Sequence, residues 1–391
     1  MKFLESSYAS IERPFAWLNL DALDANIRFV QKACGDKQIR IATKSIRSIP
    51  VLKYIAQQLD NCSGFMTFTA SETTYLLEQD FDNLLIGYPV FEYQSIVNIA
   101  QHVKKGANVT FMVDDIAQVT LLQKIAKEHS IFIRVCIDLN MSTDYRLLYF
   151  GTKRSPISTI QKLDQFLSTL KKCPNIIVKG VMGYDAQIAG VADYNKDLLG
   201  IKGALIRKLK THSLPKLTRF RQQAVAHVKH YHDIEFVNGG GSGSMDKMST
   251  ARDITEITVG SAFFAPALFD HYKSLQLKPA VGFALRVTRK FNDQFIVCHG
   301  GGYIASGAAG KDRLPVFLDT EHYELTSLEG AGEVQTPILV KNKNHQIGDT
   351  IYFRHAKAGE LCERFRVLHT SRNGQYAGPI QTYRGDEQCF L

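Results

Sequence analysis

Over the first two thirds of the chain one pattern of apolar and polar positions recurs: a short apolar run, a polar loop, then a stretch with apolar residues at helical spacing. The strand-like runs are Ile39–Lys44, Gly64–Thr69, Leu84–Tyr88, Val109–Val113, Ile131–Asp138, Ile176–Tyr184, Ile234–Asn238 and Thr255–Ser261. Between them, Ser71–Gln79, Glu92–Lys105, Ile116–His129, Ser158–Lys172 and Leu217–His232 carry apolar residues three and four apart, the mark of an amphipathic helix. Short β-branched runs are what parallel strands buried on both faces require. About eight strands in this alternation predict a (β/α)8 TIM-type barrel. An open doubly wound sheet stays open as the alternative, because periodicity does not show closure.

Ahead of the first barrel strand, Ala16–Leu20 and Asp21–Lys32 predict a strand and a helix, with Asp21 as the N-cap. After Asp270 the rhythm changes. Val281–Thr288, Gln294–Cys298, Glu333–Val340, Thr350–Phe353 and Arg364–His369 are strand-like and separated by Gly, Asn, Asp and Pro turns. The chain of 391 residues is long for one core. Two domains are expected: residues 1–271, with the N-terminal strand and helix, and an all-β domain over 272–391. Completion of the β domain by the N-terminal segment is the alternative.

Composition narrows the function classes. No apolar run reaches the ~20 residues that span a bilayer. MKFLESSYASIERP lacks an apolar core and a small-residue cleavage site, so no export signal is expected. Seven scattered cysteines with no CxxC pair suit reduced thiols in a cytoplasm. The net charge of +9 raises nucleic acid as a partner. Its excess is spread over Lys104–Lys105, Lys171–Lys172, Arg207–Lys208 and Lys210, which read as solvated helix faces rather than a strand-binding groove. An anionic small molecule fits better than nucleic acid or a membrane.

Barrel active sites gather at the C-terminal ends of the strands. Lys44 ends the first strand, where partial desolvation would lower its pKa and supply the neutral amine a Schiff-base nucleophile needs. A surface lysine or a simple phosphate ligand is the bland alternative. After the seventh strand comes Asn238-Gly239-Gly240-Gly241-Ser242-Gly243-Ser244, and after the eighth Val259-Gly260-Ser261. Bare backbone N–H groups there can converge on an anion, and barrels commonly bind phosphate at their last strands. No Gly-Lys-Ser/Thr follows, so this is no nucleotide P-loop. A lysine on the first strand lies beside the last strands in a closed barrel, which suits a phosphorylated aldehyde held at both ends.

At this point the chain resembles the fold-type III pyridoxal-phosphate enzymes with an alanine-racemase-like barrel, and within them the D-serine dehydratase and D-threonine aldolase branch. The resemblance rests on Lys44, on Phe65–Val90 with Glu72 and LLIGYPV, on Gly180–Tyr184, on NGGGSGS and TEITVGS, and on GDTIYFRHAKAGELC. It implies pyridoxal 5'-phosphate joined to Lys44 as a Schiff base, with Lys44 later the base at the substrate Cα. It implies phosphate contacts from Gly240, Gly241, Ser242, Gly260 and Ser261, and an aromatic near the cofactor at Tyr184, which core packing would explain equally. Arg146 falls where relatives place an arginine at the cofactor ring, with Arg154 its rival. Asp185 and Gln187 could polarise substrate or ring groups, or be solvent-facing loop residues. Relatives pair as dimers, so a homodimer is implied.

The same relatives carry a metal-binding His with Cys or Asp two residues on. Here the residues are His355-Ala356-Lys357. An ammonium has no lone pair for a metal, so the expectation is no metal, with His355 and Lys357 in the catalytic set and the Lys357 charge in its place. Cys362 and His299 are weaker ligand candidates. The implied activity is a lyase, dehydratase or aldolase, on a small β-hydroxy amino acid of D configuration. The alternatives are a racemase, with Tyr303 or Tyr352 nominated as second base, a non-catalytic pyridoxal-phosphate carrier, and a phosphosugar barrel without cofactor.

Overall fold

The computed structural model describes residues 7–145, 148–191 and 201–391. Its barrel strands are Gln38–Ala42, Cys62–Thr67, Leu84–Ile86, Val109–Val113, Ile133–Asp138, Ile176–Gly183, Phe236–Gly239 and Glu256–Val259. They form a closed parallel barrel, the last pairing with the first from Glu256 opposite Gln38 to Val259 opposite Ile41. Aliphatic side chains such as Ile41, Ile86, Val113, Ile137 and Ile257 are buried, as two-faced strands require. One ion pair is buried with them. Arg40 grips Glu256 at 2.7 and 2.9 Å and donates to the carbonyl of Asn83 at 2.7 Å, while Asn238 donates to Glu256 at 2.7 Å.

Several of the surrounding helices start where the sequence supplies caps. Ile116–His129 opens on a capping box between Asp115 and Gln118, and Ala70–Glu78 on the Thr69 hydroxyl. Helix Leu20–Cys34 is capped by Asn19, whose side chain accepts from Ala22, and not by Asp21; Asp21 lies in the first turn and accepts from the Asn373 amide. The helix expected over Leu217–His232 runs from Ile201 to Tyr231 and carries Pro215 inside it. Lys210 on that helix is buried with its ammonium 5.4 Å from the Tyr272 ring centroid, so it is no solvated face.

Beyond the barrel a nine-stranded sheet runs in the order Tyr323–Leu325, Gln335–Val340, Phe295–His299, Val281–Asn292, Phe15–Asn19, Val367–Arg372, Gln375–Gln381, with Thr350–Arg354 and Val316–Phe317 branching from Val281–Asn292. Phe15–Asn19 is antiparallel to Val281–Asn292 and parallel to Val367–Arg372. That strand belongs to the second sheet and not to a barrel domain of residues 1–271. The helix after it returns to the barrel, packing on the short helices Met245–Ser249 and Ser261–Phe264.

Candidate active site

A cavity of about 450 Å³ opens at the C-terminal ends of the barrel strands, a size suited to a small-molecule site. Strand ends line its inner part, and the second region closes it with Asp312–Arg313 and Lys357–Glu360. Lys44, Tyr184, Gly240, Gly241, Ser242, Gly260, Ser261 and Lys357 all line this one space.

Lys44 sits on the 3-10 turn Thr43–Ser45. The turn is clamped from both regions. Thr43 donates to the Met66 carbonyl at 3.0 Å, Arg47 donates from Nε to the Lys44 carbonyl at 3.0 Å and pairs with Glu363 at 2.7 Å, and the Tyr383 amide donates to the Arg47 carbonyl at 2.8 Å. A Cβ on Gly359 would lie 2.1 Å from the Lys44 carbonyl oxygen, so only glycine lets the second region press this close. The Lys44 side chain is exposed to the cavity rather than desolvated as expected. Its Nζ donates to the Tyr88 hydroxyl at 2.5 Å.

Beside Lys44 lies the small-residue cradle. The Ser242 hydroxyl accepts from the Ala262 amide at 3.0 Å, tying the seventh-strand loop to the eighth. The Ser45 and Ser261 hydroxyls are 3.2 Å apart, so the residue after Lys44 touches the cradle directly. Gly240 has φ of +75°, a conformation glycine adopts freely, and a Cβ there would meet Met248 at 2.7 Å. A Cβ on Gly241 would lie 3.3 Å from the Tyr184 ring. Burial pushes the Tyr184 phenol up to about 12, with Asp185 adding to it, so at neutral pH it remains a donor.

Arg146 lies outside the described residues. Arg154 lines the cavity with its guanidinium 5.5 Å from the Tyr184 ring centroid. Asp138, at the end of the fifth strand, is pushed up to about 7 by burial and by Asp114, against the pull of Arg154. Asp185 and Gln187 are neither solvent-facing nor in the cavity. Both are buried; Asp185 accepts from Ser244 at 3.3 Å behind the glycine loop, and Gln187 donates to the Met141 carbonyl at 2.5 Å.

On the outer wall the Lys357 ammonium donates to the Ser306 hydroxyl at 2.8 Å and pairs with Glu360 at 3.2 Å. His355 does not line the cavity. It is buried behind it, its ring Nδ1 3.1 Å from the Lys357 amide, where it holds the turn that presents Lys357. Burial pushes the Cys362 thiol up to about 12 and lowers His355 below its ordinary value. His299 is an exposed strand end away from the cavity. Tyr303 packs its ring on Phe283 at 4.9 Å, and Tyr352 joins Tyr8, Phe15 and Trp17, so neither reaches the site. Among the described residues no three His, Cys, Asp or Glu side chains gather in one place.

The sequence reading missed Tyr88, Arg47, Tyr272 and Glu360. Only Tyr88 had a usable signal: it stands two residues past its strand, as Lys44 does.

The family described as "Alanine racemase, N-terminal domain" matches residues 18–266. A 3-hydroxy-D-aspartate aldolase of Paracoccus denitrificans (strain Pd 1222) is 25% identical over 270 residues, covering 66% of this chain and 62% of that protein. The chain therefore spans less than two thirds of that curated relative. Among solved structures, D-threonine aldolase from Filomicrobium marinum superposes with a TM-score of 0.75 at 18% identity, covering 95% of this chain and 94% of that one. D-threo-3-hydroxyaspartate dehydratase from Delftia sp. HT23 does so with a TM-score of 0.75 at 15% identity, covering 96% and 98%. These two show the shared fold. The family match takes in more than half of the chain and all eight barrel strands, and the chain belongs to the alanine racemase N-terminal-domain family.

Proposed function

We propose that this chain is a pyridoxal-5'-phosphate-dependent lyase acting on a small β-hydroxy amino acid of D configuration, by dehydration and deamination or by aldol cleavage. The observation that carries the reading is one cavity holding both the Lys44 amine and the cradle of Gly240, Gly241, Ser242, Gly260 and Ser261. The residues fit the cofactor chemically. Serine hydroxyls, bare glycine backbone and a neutral Tyr184 phenol would face the cofactor's anionic end, while the carboxylates in the lining, Asp312 and Glu360, come from the second region.

When bound, the cofactor supplies the electron sink that stabilises negative charge at the substrate Cα. Lys44 would hold it through Nζ; for dehydration the same atom would take the substrate Cα proton, whereas aldol cleavage breaks Cα–Cβ and needs the proton of the β-hydroxyl removed instead. Arg154 is the arginine at hand for the ring edge. The Lys357 ammonium, held by Ser306 and Glu360, supplies fixed positive charge for a departing hydroxyl or a substrate carboxylate, and no metal is invoked. A racemase needs a second base opposite Lys44; neither Tyr303 nor Tyr352 lines the cavity, and Tyr272, which does, donates its hydroxyl proton to the Ala189 carbonyl at 2.9 Å. The lyase reading is preferred for that reason.

Borohydride reduction of the holoenzyme is expected to label the Lys44 peptide, and Lys44→Ala to lose both label and visible absorbance. D-hydroxy amino acids are expected to yield a keto acid and ammonia, or glycine and an aldehyde. A label at any other lysine, or none, defeats the reading. Activity lost on exhaustive chelation and restored by zinc or manganese would refute its metal-free part alone.

A further inference from the structure

Every role given to Lys44 needs a lone pair on Nζ, and its side chain is exposed in the cavity. The structure places a proton acceptor against it. Lys44 stands two residues beyond Ala42, the end of the first strand, and Tyr88 two beyond Ile86, the end of the third. Side chains from alternate strands of a barrel share a layer, so the two meet at one height. Nζ and the phenolic oxygen stand 2.5 Å apart, within hydrogen-bond reach.

The groups around Tyr88 come from several elements. Lys44 approaches from the first strand, Arg154 from beyond the fifth, Asp138 from the end of the fifth and Tyr184 from the end of the sixth. Burial by itself would raise the Tyr88 phenol and Asp138 adds to that, but Lys44, its hydrogen bond and Arg154 outweigh both and hold the phenol below its ordinary value.

We propose that Tyr88 is the proton partner of Lys44, its phenolic oxygen taking one proton from Nζ and giving it back. The transfer conserves charge and electrons. An N–H bond breaks as an O–H bond forms, ammonium and phenolate becoming amine and phenol, with no co-reactant. The catalytic consequence rests on the function proposed above: Tyr88 would restore the lone pair of Lys44 between turnovers. The coupling itself does not rest on it.

The test is a near-ultraviolet phenol titration of the full chain freed of pyridoxal phosphate, comparing wild type, Tyr88→Phe and Lys44→Met. Wild type minus Tyr88→Phe should show one phenol ionising below ~10, the ordinary tyrosine value. Lys44→Met should move that phenol upward by about one pH unit or more. If Tyr88→Phe fails to fold, the difference between wild type and Lys44→Met reads the same phenol. An identical titration in Lys44→Met, or a midpoint at or above the ordinary value, overturns the proposal. In the holoenzyme, Tyr88→Phe should lower kcat by about 10- to 100-fold and shift the kcat–pH profile, leaving KM within about twofold. A chain without lyase activity would leave the titration result standing; a coupled phenol with unchanged kcat would remove Tyr88 from the catalytic cycle.

Discussion

Gly359 shows how a single missing Cβ decides the distance between the two regions. A methyl group there would meet the Lys44 carbonyl oxygen at 2.1 Å and the Ser45 carbonyl carbon at 2.8 Å, both backbone atoms that cannot swing aside. Gly359→Ala should therefore cost about 1–3 kcal/mol and reduce cofactor occupancy, read by chemical denaturation and by absorbance. Glu72 makes a different point. It is fully buried, accepts from the Phe68 amide at 2.8 Å and from the Tyr383 hydroxyl at 2.9 Å, and burial pushes it from 4.5 up to about 7. Between those values the folded chain keeps a proton that the unfolded chain has lost, so this group's contribution to stability falls as pH rises through the window. Glutamine can keep both bonds, accepting from the amide and donating to the phenol. Glu72→Gln should flatten the fall of Tm between about pH 4.5 and 7 and lie above wild type at higher pH. Parallel Tm curves would refute this.

Among elements, the barrel strands were legible because burial on both faces leaves an unbroken apolar run, and Val109–Val113 matches residue for residue. The glycine cradle was legible because an anion site built from backbone is written in local composition. The start of the helix Ile201–Tyr231 was hidden by Pro215, which argues for a break where the helix continues. Strands Tyr323–Leu325 and Val316–Phe317 are too short to carry a period. The outer wall was illegible for another reason: Arg313 and Glu360 reach the cavity only through the second sheet, and no local pattern marks them. The Arg40–Glu256 pair belongs at this scale too, since it joins the first strand to the eighth. Arg40→Met leaves a buried carboxylate without its cation and should cost about 3–5 kcal/mol by urea denaturation, much of it recovered by adding Glu256→Leu.

For the molecule as a whole, the two regions are tied by the Lys44 turn and by a strand from one end of the sequence set into the sheet of the other. The one tryptophan of the chain, Trp17, lies buried in that strand. Among the described residues every α-helix ends by Phe264. Tryptophan fluorescence thus reports the second sheet, and far-ultraviolet circular dichroism of the helices reports the barrel. Their thermal transitions should coincide, because neither region keeps its seams when the other melts. A fluorescence midpoint several degrees below the helical one would show regions that unfold independently.

The interior place of Phe15–Asn19 also bears on biosynthesis. The ribosome releases this segment before any barrel strand, while its flanking partners, Val281–Asn292 and Val367–Arg372, emerge long afterwards. Through most of translation the Trp17 segment is a bare apolar ribbon, exposed to chaperones and to other nascent chains. A product stopped before residue 367 would keep one flank of it unzipped, an open invitation to aggregation.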